Sequence, residues 1–147
     1  MAALTCLMIT AAACETVTEP AKAPQSATPL TSTAGDPAVW RLRADQQLQE
    51  SSTSFTAQVV RISCNNGITG DVLAPAVRKS GSEIVVTFTV IPKQPDPAPC
   101  PGNDEVPYTV ELGEQLRDRA LIDGQCLPGG KATGTIFCEP DPTRFKP

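Results

Sequence analysis

Four of the six cysteines, a scatter of loop carboxylates and amides, and a complete lack of histidine set the chemical repertoire of this chain of 147 residues. Cys64, Cys100, Cys126 and Cys138 lie in the carboxyl-terminal two thirds. No two of them are spaced Cys-x-x-Cys, so neither a thioredoxin-type redox site nor a paired zinc knuckle is indicated. An even number of cysteines in an exported chain reads as a disulfide framework. Three pairings of four cysteines exist. Cys64 with Cys100 and Cys126 with Cys138 is preferred because sequential pairing closes the shortest loops. The chain-entropy argument assigns about 4 and about 3 kcal/mol to those two closures. A structural zinc ion on four thiolates is the competing use of the same residues.

The missing histidine removes the commonest general base, every Ser-His or Cys-His nucleophile pair and most zinc sites. The remaining polar chemistry is concentrated in loops expected at one end of the fold. Asn65, Asn66 and Asp71 lie in one region, and Asn103, Asp104 and Glu105 in another. These are hard oxygen donors that could hold calcium if brought together, but their spacing matches no EF-hand, and Asn, Asp and Gly are also what turns require. Asp71, Asp104, Glu105 and Asp123 are the main loop acids that could act as a glycoside-cleaving pair across a cleft. The aromatic set is only Trp40, Tyr108, Phe55, Phe88, Phe137 and Phe145, few for a stacking platform. Arg117, Asp118 and Arg119 read as a solvated charge cluster or local ion pair, and Trp40 as a core residue. If a Cys64–Cys100 bridge forms, Asn65 and Asn66 are drawn beside Asn103, Asp104 and Glu105, giving a candidate binding rim at the end of a rigid scaffold.

The elements that must position these residues are short and β-type. Residues 39–43 alternate, with Trp40 and Leu42 on one side and Arg41 and Arg43 on the other. Residues 54–63 are rich in Phe, Val and Ile, and their alternation slips at Val59 and Val60, as across a bulge. Residues 71–77 form a short strand broken by Pro75, hence an edge. Residues 83–91 are the clearest strand, with Ile84, Val86, Phe88 and Val90 facing one way. A proline-rich loop spans 92–107. Tyr108, Val110 and Leu112 face inward from the next strand, a further strand is expected over 116–122, and a last one over 133–137. Such strands, spaced by turn residues, predict an all-β fold: a small antiparallel, disulfide-bonded β-sandwich, immunoglobulin-like in plan.

Ahead of this domain, residues 1–13 form a short apolar run ending in small residues, as a signal peptide does. Residues 14–38 are rich in Thr, Ser, Ala and Pro, a composition that cannot bury enough apolar surface to order itself and that suits a linker. The domain is expected over 39–147, about 110 residues, enough for one core. The net charge of −4 is scattered rather than clustered, which argues against a nucleic-acid surface.

The tripeptide Ala11-Ala12-Ala13 before Cys14 resembles the lipobox of bacterial lipoproteins. That resemblance implies cleavage before Cys14, a lipid on its sulfur, and a protein anchored to the membrane on its extracytoplasmic face. The domain also resembles small uncharacterised envelope proteins of high-GC Gram-positive bacteria, on the Cys-Asn-Asn-Gly loop at 64–67, the Cys-Pro-Gly-Asn loop at 100–103 and the segments 110–112 and 119–126. No particular activity follows from that resemblance. The expectation is a non-enzymatic cell-envelope lipoprotein, without cofactor, presenting a secreted β domain to a protein, glycan or cell-wall partner. The alternative is a small hydrolase or calcium-dependent module using the loop carboxylates.

Overall fold

A computed structural model describes residues 35–93 and 99–147. Cys14, the expected leader and most of the expected linker lie outside the described residues, as do Pro95 and Pro97 of the long loop. Eight strands follow one another: β1 Asp36–Leu42, β2 Ser54–Arg61, β3 Asp71–Val72, β4 Ala76–Lys79, β5 Glu83–Ile91, β6 Val106–Glu111, β7 Ala120–Asp123 and β8 Thr143–Phe145. Short 3-10 turns occupy Gly124–Cys126 and Ile136–Cys138. The described part is all-β and disulfide-bonded, with Cys64 joined to Cys100 and Cys126 to Cys138. β1 starts at Asp36, earlier than the expected domain boundary. Pro37 is tolerated so close to the start of a strand, and Ala38 is already fully buried.

The strands pair in the order β6-β2-β1-β5-β7-β8, and β3 and β4 pair with β5 as well. β5 is the hinge of this arrangement. At Val90 its neighbours are Asp36 of β1 and Val72 of β3. At Val86 they are Asp123 of β7 and Val77 of β4. β3 and β4 therefore follow each other along one edge of β5, interrupted where Pro75 cannot donate to the ladder. Along the other edge, β1 pairs with the end of β5 and then gives way to β7. Every pairing is antiparallel except β5 with β7, which is parallel. The expected antiparallel sandwich is thus one mixed sheet, continuous through β5, and the pairing does not establish an immunoglobulin-like plan.

The parallel pair has a local cause. After β6 the chain does not turn straight into a hairpin. Leu116 N–H donates to Ser52 O at 2.8 Å and Arg117 N–H to Glu50 O at 2.7 Å, so the segment is tied to the loop ahead of β2. Arg117 sits at φ +57°, and the buried guanidinium of Arg119 donates to the carbonyl of Leu116 at 2.9 Å. The strand expected over 116–122 consequently begins only at Ala120, beside Glu83 at the start of β5. The strand expected over 133–137 is absent. That segment is wound into turns by Thr135 N–H to Ala132 O and Cys138 N–H to Thr135 O, both 3.0 Å, and the last strand is β8.

The inward faces of both parts of the sheet meet in one core. Trp40 lies against Phe55, with ring centroids 5.1 Å apart, and edge-on to Phe88, which in turn meets Tyr108 edge-on at 5.4 Å. Such aromatic pairs add about 0.5–1.5 kcal/mol each beyond the area they bury. Ile84, Val86, Val90, Val110 and Leu112 fill the rest of the expected inward set, with Tyr108 only partly buried. Leu116 and Leu121 join them. β2 alternates without a slip, with Phe55, Ala57, Val59 and Arg61 inward. Val60 looked out of phase because the outer face is apolar here too. Val60 and Ile62 pack with Val39, Ala132 and the Cys126–Cys138 disulfide, beneath the carboxyl-terminal segment.

Candidate functional site

The Cys64–Cys100 bridge brings the two expected rim loops together, and their polar groups turn mostly toward each other. Asn66 at φ +54° and Gly67 at φ +84° form the left-handed centre of a tight turn closed by Ile68 N–H to Asn65 O at 3.1 Å. Asn and Gly are the residues that reach this region at least cost. Asn66 N–H then donates to Pro99 O at 3.0 Å and Asp104 N–H to Gly67 O at 2.8 Å. Asp104 Oδ1 accepts from Thr69 N–H at 2.6 Å, and Asn103 Nδ2 donates to the carbonyls of Arg61 and Ser63 at 2.9 and 2.8 Å. Asn65 is fully buried and donates to Ile68 O at 2.7 Å. Glu105 is paired with Arg41. Of the five rim residues, only the Asn66 side chain stands exposed without a described partner; the others brace the loops.

Two further acids, Asp71 and Glu114, are also engaged. Asp71 is exposed and meets Lys93 at 3.0 Å. Arg119 pairs with Glu114 at 3.2 Å, which keeps the Glu114 carboxyl below the usual carboxylate range through hydrogen bonds from Arg119 and Lys79. No group of three or more metal-ligating side chains converges among the described residues.

Asp123 is the exception in depth. Its side chain has no solvent exposure, and Arg144 beside it is only 11% exposed. Asp123 Oδ2 accepts from Trp40 N–H at 2.9 Å and from Arg144 Nη2 at 3.1 Å, while Oδ1 accepts from Gln125 N–H at 3.0 Å. The carboxylate replaces the ladder partner that Trp40 loses where β1 leaves β5, and the Trp40 indole completes the junction by donating to Val86 O at 3.0 Å. Burial pushes the Asp123 carboxyl above its ordinary value, against the pull of the Trp40 and Gln125 N–H groups and of Arg144. Gly124 follows because the next turn presses onto β5, where any Cβ would lie 1.9 Å from Thr87 Oγ1.

A groove of about 510 Å³ opens over the outer face of β1 and β2. Val39, Val60 and Ile62 supply apolar lining from the strands, and Ile136 and Phe137 from the carboxyl-terminal turn. Cys100, Gly102, Asn103 and Glu105 bring the braced loop to its border, and Arg41, Gln58, Arg61, Glu139 and Arg144 are its other polar neighbours. Ile136 is 79% exposed and Phe137 40% exposed, although adjoining residues are fixed by the Cys126–Cys138 disulfide. Arg144 Nη2 holds that wall in place by donating to Phe137 O at 2.8 Å and to Cys126 Sγ at 3.3 Å. The site reasoned from loop polarity is therefore mainly scaffold, and the concavity lies next to it. Its sequence signal was the run of apolar residues on both faces of β2 and the adjacent pair Ile136-Phe137 ahead of a cysteine.

No protein-family model, no curated protein and no solved structure matches this chain.

Proposed function

We propose that this is a non-enzymatic binding domain of the cell envelope, exported by the segment 1–13, anchored through a lipid on Cys14 and carried on the linker that follows. The observation that carries the binding role is the exposure of Ile136 and Phe137 beside an apolar groove whose walls are held by two disulfides. Leaving large apolar groups in water beside a preformed concavity is unfavourable unless something covers them, and small-ligand and peptide sites have this character. The internal engagement of Asp104, Glu105 and Asp123 gives no support to the hydrolase or calcium alternative. The partner in this reading is a protein, a glycan or the cell wall.

Photo-crosslinking in intact cells tests this reading. A photoreactive residue at position 136 of the full chain should give a discrete adduct. The same residue at exposed Gln47, which does not line the groove, should not. No adduct at 136, or the same adduct at both positions, would overturn it.

A further inference from the structure

The charges around the groove are unevenly matched. Arg41 is paired with Glu105, Arg61 with Asp36 and Arg144 with Asp123. Glu139, exposed at the groove beside Phe137, has no ion-pair partner among the described residues. The site therefore offers an apolar surface with one negative charge left over. Donor capacity also remains. Arg144 makes its hydrogen bonds among the described residues through Nη2, to Asp123, Phe137 O and Cys126 Sγ. Its Nη1 can donate to a carbonyl oxygen. Gln58 adds an amide that can both donate and accept.

From this we infer that the groove takes a short polypeptide segment of a partner protein, in which a large aliphatic or aromatic residue stands next to a lysine or arginine. The apolar side chain covers Val60, Ile62, Ile136 and Phe137. The neighbouring cation meets Glu139, and a backbone carbonyl meets Arg144. An acyl chain would satisfy the apolar lining but leave Glu139, Gln58 and Arg144 without partners, at a desolvation cost. A second copy of the chain is disfavoured by size, because a stable dimer buries about 800 Å² on each partner and this apolar surface is a handful of side chains. The inference rests on the groove being a binding site, as proposed above, and adds which chemistry it selects.

Fluorescence anisotropy with the full chain and three labelled peptides tests it. The peptides share a Gly-Leu-Phe-X-Gly frame, with X as lysine, glutamine or glutamate. The lysine peptide should bind roughly five- to tenfold more tightly than the glutamate peptide, since attraction and repulsion at one exposed carboxylate each contribute a modest factor. That preference should shrink with added salt. Glu139→Gln should erase the preference, and Ile136→Ser should weaken all three.

A glutamate peptide that binds as well as the lysine one, with Ile136→Ser still weakening both, would overturn the basic-segment inference and leave the groove reading standing. Binding that ignores Ile136→Ser, or no binding of any peptide at millimolar concentration, would also overturn the inference. Concentration-dependent self-association lost in Ile136→Ser would overturn it in favour of a second copy. The crosslinking experiment judges the groove reading independently in each case.

Discussion

Replacing Asp123 by asparagine should be among the most damaging single-atom changes available to this protein. The carboxylate accepts from two backbone N–H groups and from Arg144, with no solvent access to share the work. Asparagine keeps one acceptor oxygen and puts an NH₂ group where the other stood. Every neighbour of that position is a donor, so either Gln125 N–H, or Trp40 N–H together with Arg144, loses its acceptor. Burial of the carboxylate offsets what its pairing with Arg144 contributes. The cost of the change is therefore that of the orphaned donors, about 1–3 kcal/mol. Against a total stability of about 5–15 kcal/mol, that is a large share for one atom.

The assay is urea unfolding of the oxidised protein followed by fluorescence. Trp40 is the single tryptophan, and its backbone and indole N–H groups both bond at this junction. A change below about 0.5 kcal/mol, the scale of an ordinary surface substitution, would refute the reasoning. The pH dependence gives a second reading. Burial raises the folded-state value of Asp123 above the unfolded value of about 3.9. The folded state then binds the proton more tightly, so this group's contribution to stability grows as pH falls through the raised value and is complete below about 3.9. Asparagine lacks that gain, and its cost relative to the native residue should therefore increase on acidification across that window.

Phe88→Ala should cost about 3–5 kcal/mol in the same unfolding assay, because it empties a fully buried ring site between Trp40 and Tyr108. Replacing Cys64 and Cys100 together by serine should lower stability by about 4 kcal/mol, and replacing Cys126 and Cys138 by about 3 kcal/mol, with the closed-loop length setting the order. The two midpoints in urea, compared without reductant, check that order. Cys14→Ser should release the protein from cell membranes into the medium. Wild-type protein found soluble outside the cell, with its first residue beyond 14, would count against the anchor.

Legibility in the sequence followed length and periodicity. β5 was read to the residue, because Glu83–Ile91 is long, β-branched and alternating. Its inward residues and those around Tyr108 identified the core. The preferred cysteine pairing followed from loop length alone. The chain order around β7 and β8 was not legible. Ala120–Asp123 and Thr143–Phe145 are too short to carry a period, and their places are set by contacts distant in sequence: Leu116 and Arg117 to the loop before β2, and Arg144 to Asp123. Loop polarity misled for a similar reason. Asn65, Asn103 and Asp104 have the composition of a binding rim, and the same groups are what two loops need to satisfy each other's backbone once a disulfide joins them. Asp123, read as a loop acid that could join a carboxylate pair, is instead the acceptor that closes a break in the ladder.

The Cys64–Cys100 bridge also alters the effective connectivity of the chain. β2 pairs with β6 in antiparallel register, Val59 facing Val106, although β3, β4 and β5 intervene along the backbone. By way of the sulfurs, those two residues are separated by roughly a dozen links, so once oxidised the β2–β6 pair is a hairpin with a covalent turn, and the closure cost falls by about 1 kcal/mol. The contact order of the oxidised chain is correspondingly lower than its backbone numbering suggests. Maturation should then be timed by thiol oxidation: refolding of the fully reduced chain should be slow until this bond forms and fast afterwards, and a cell that delays disulfide formation should accumulate the chain with its β2 edge unpaired and open to aggregation.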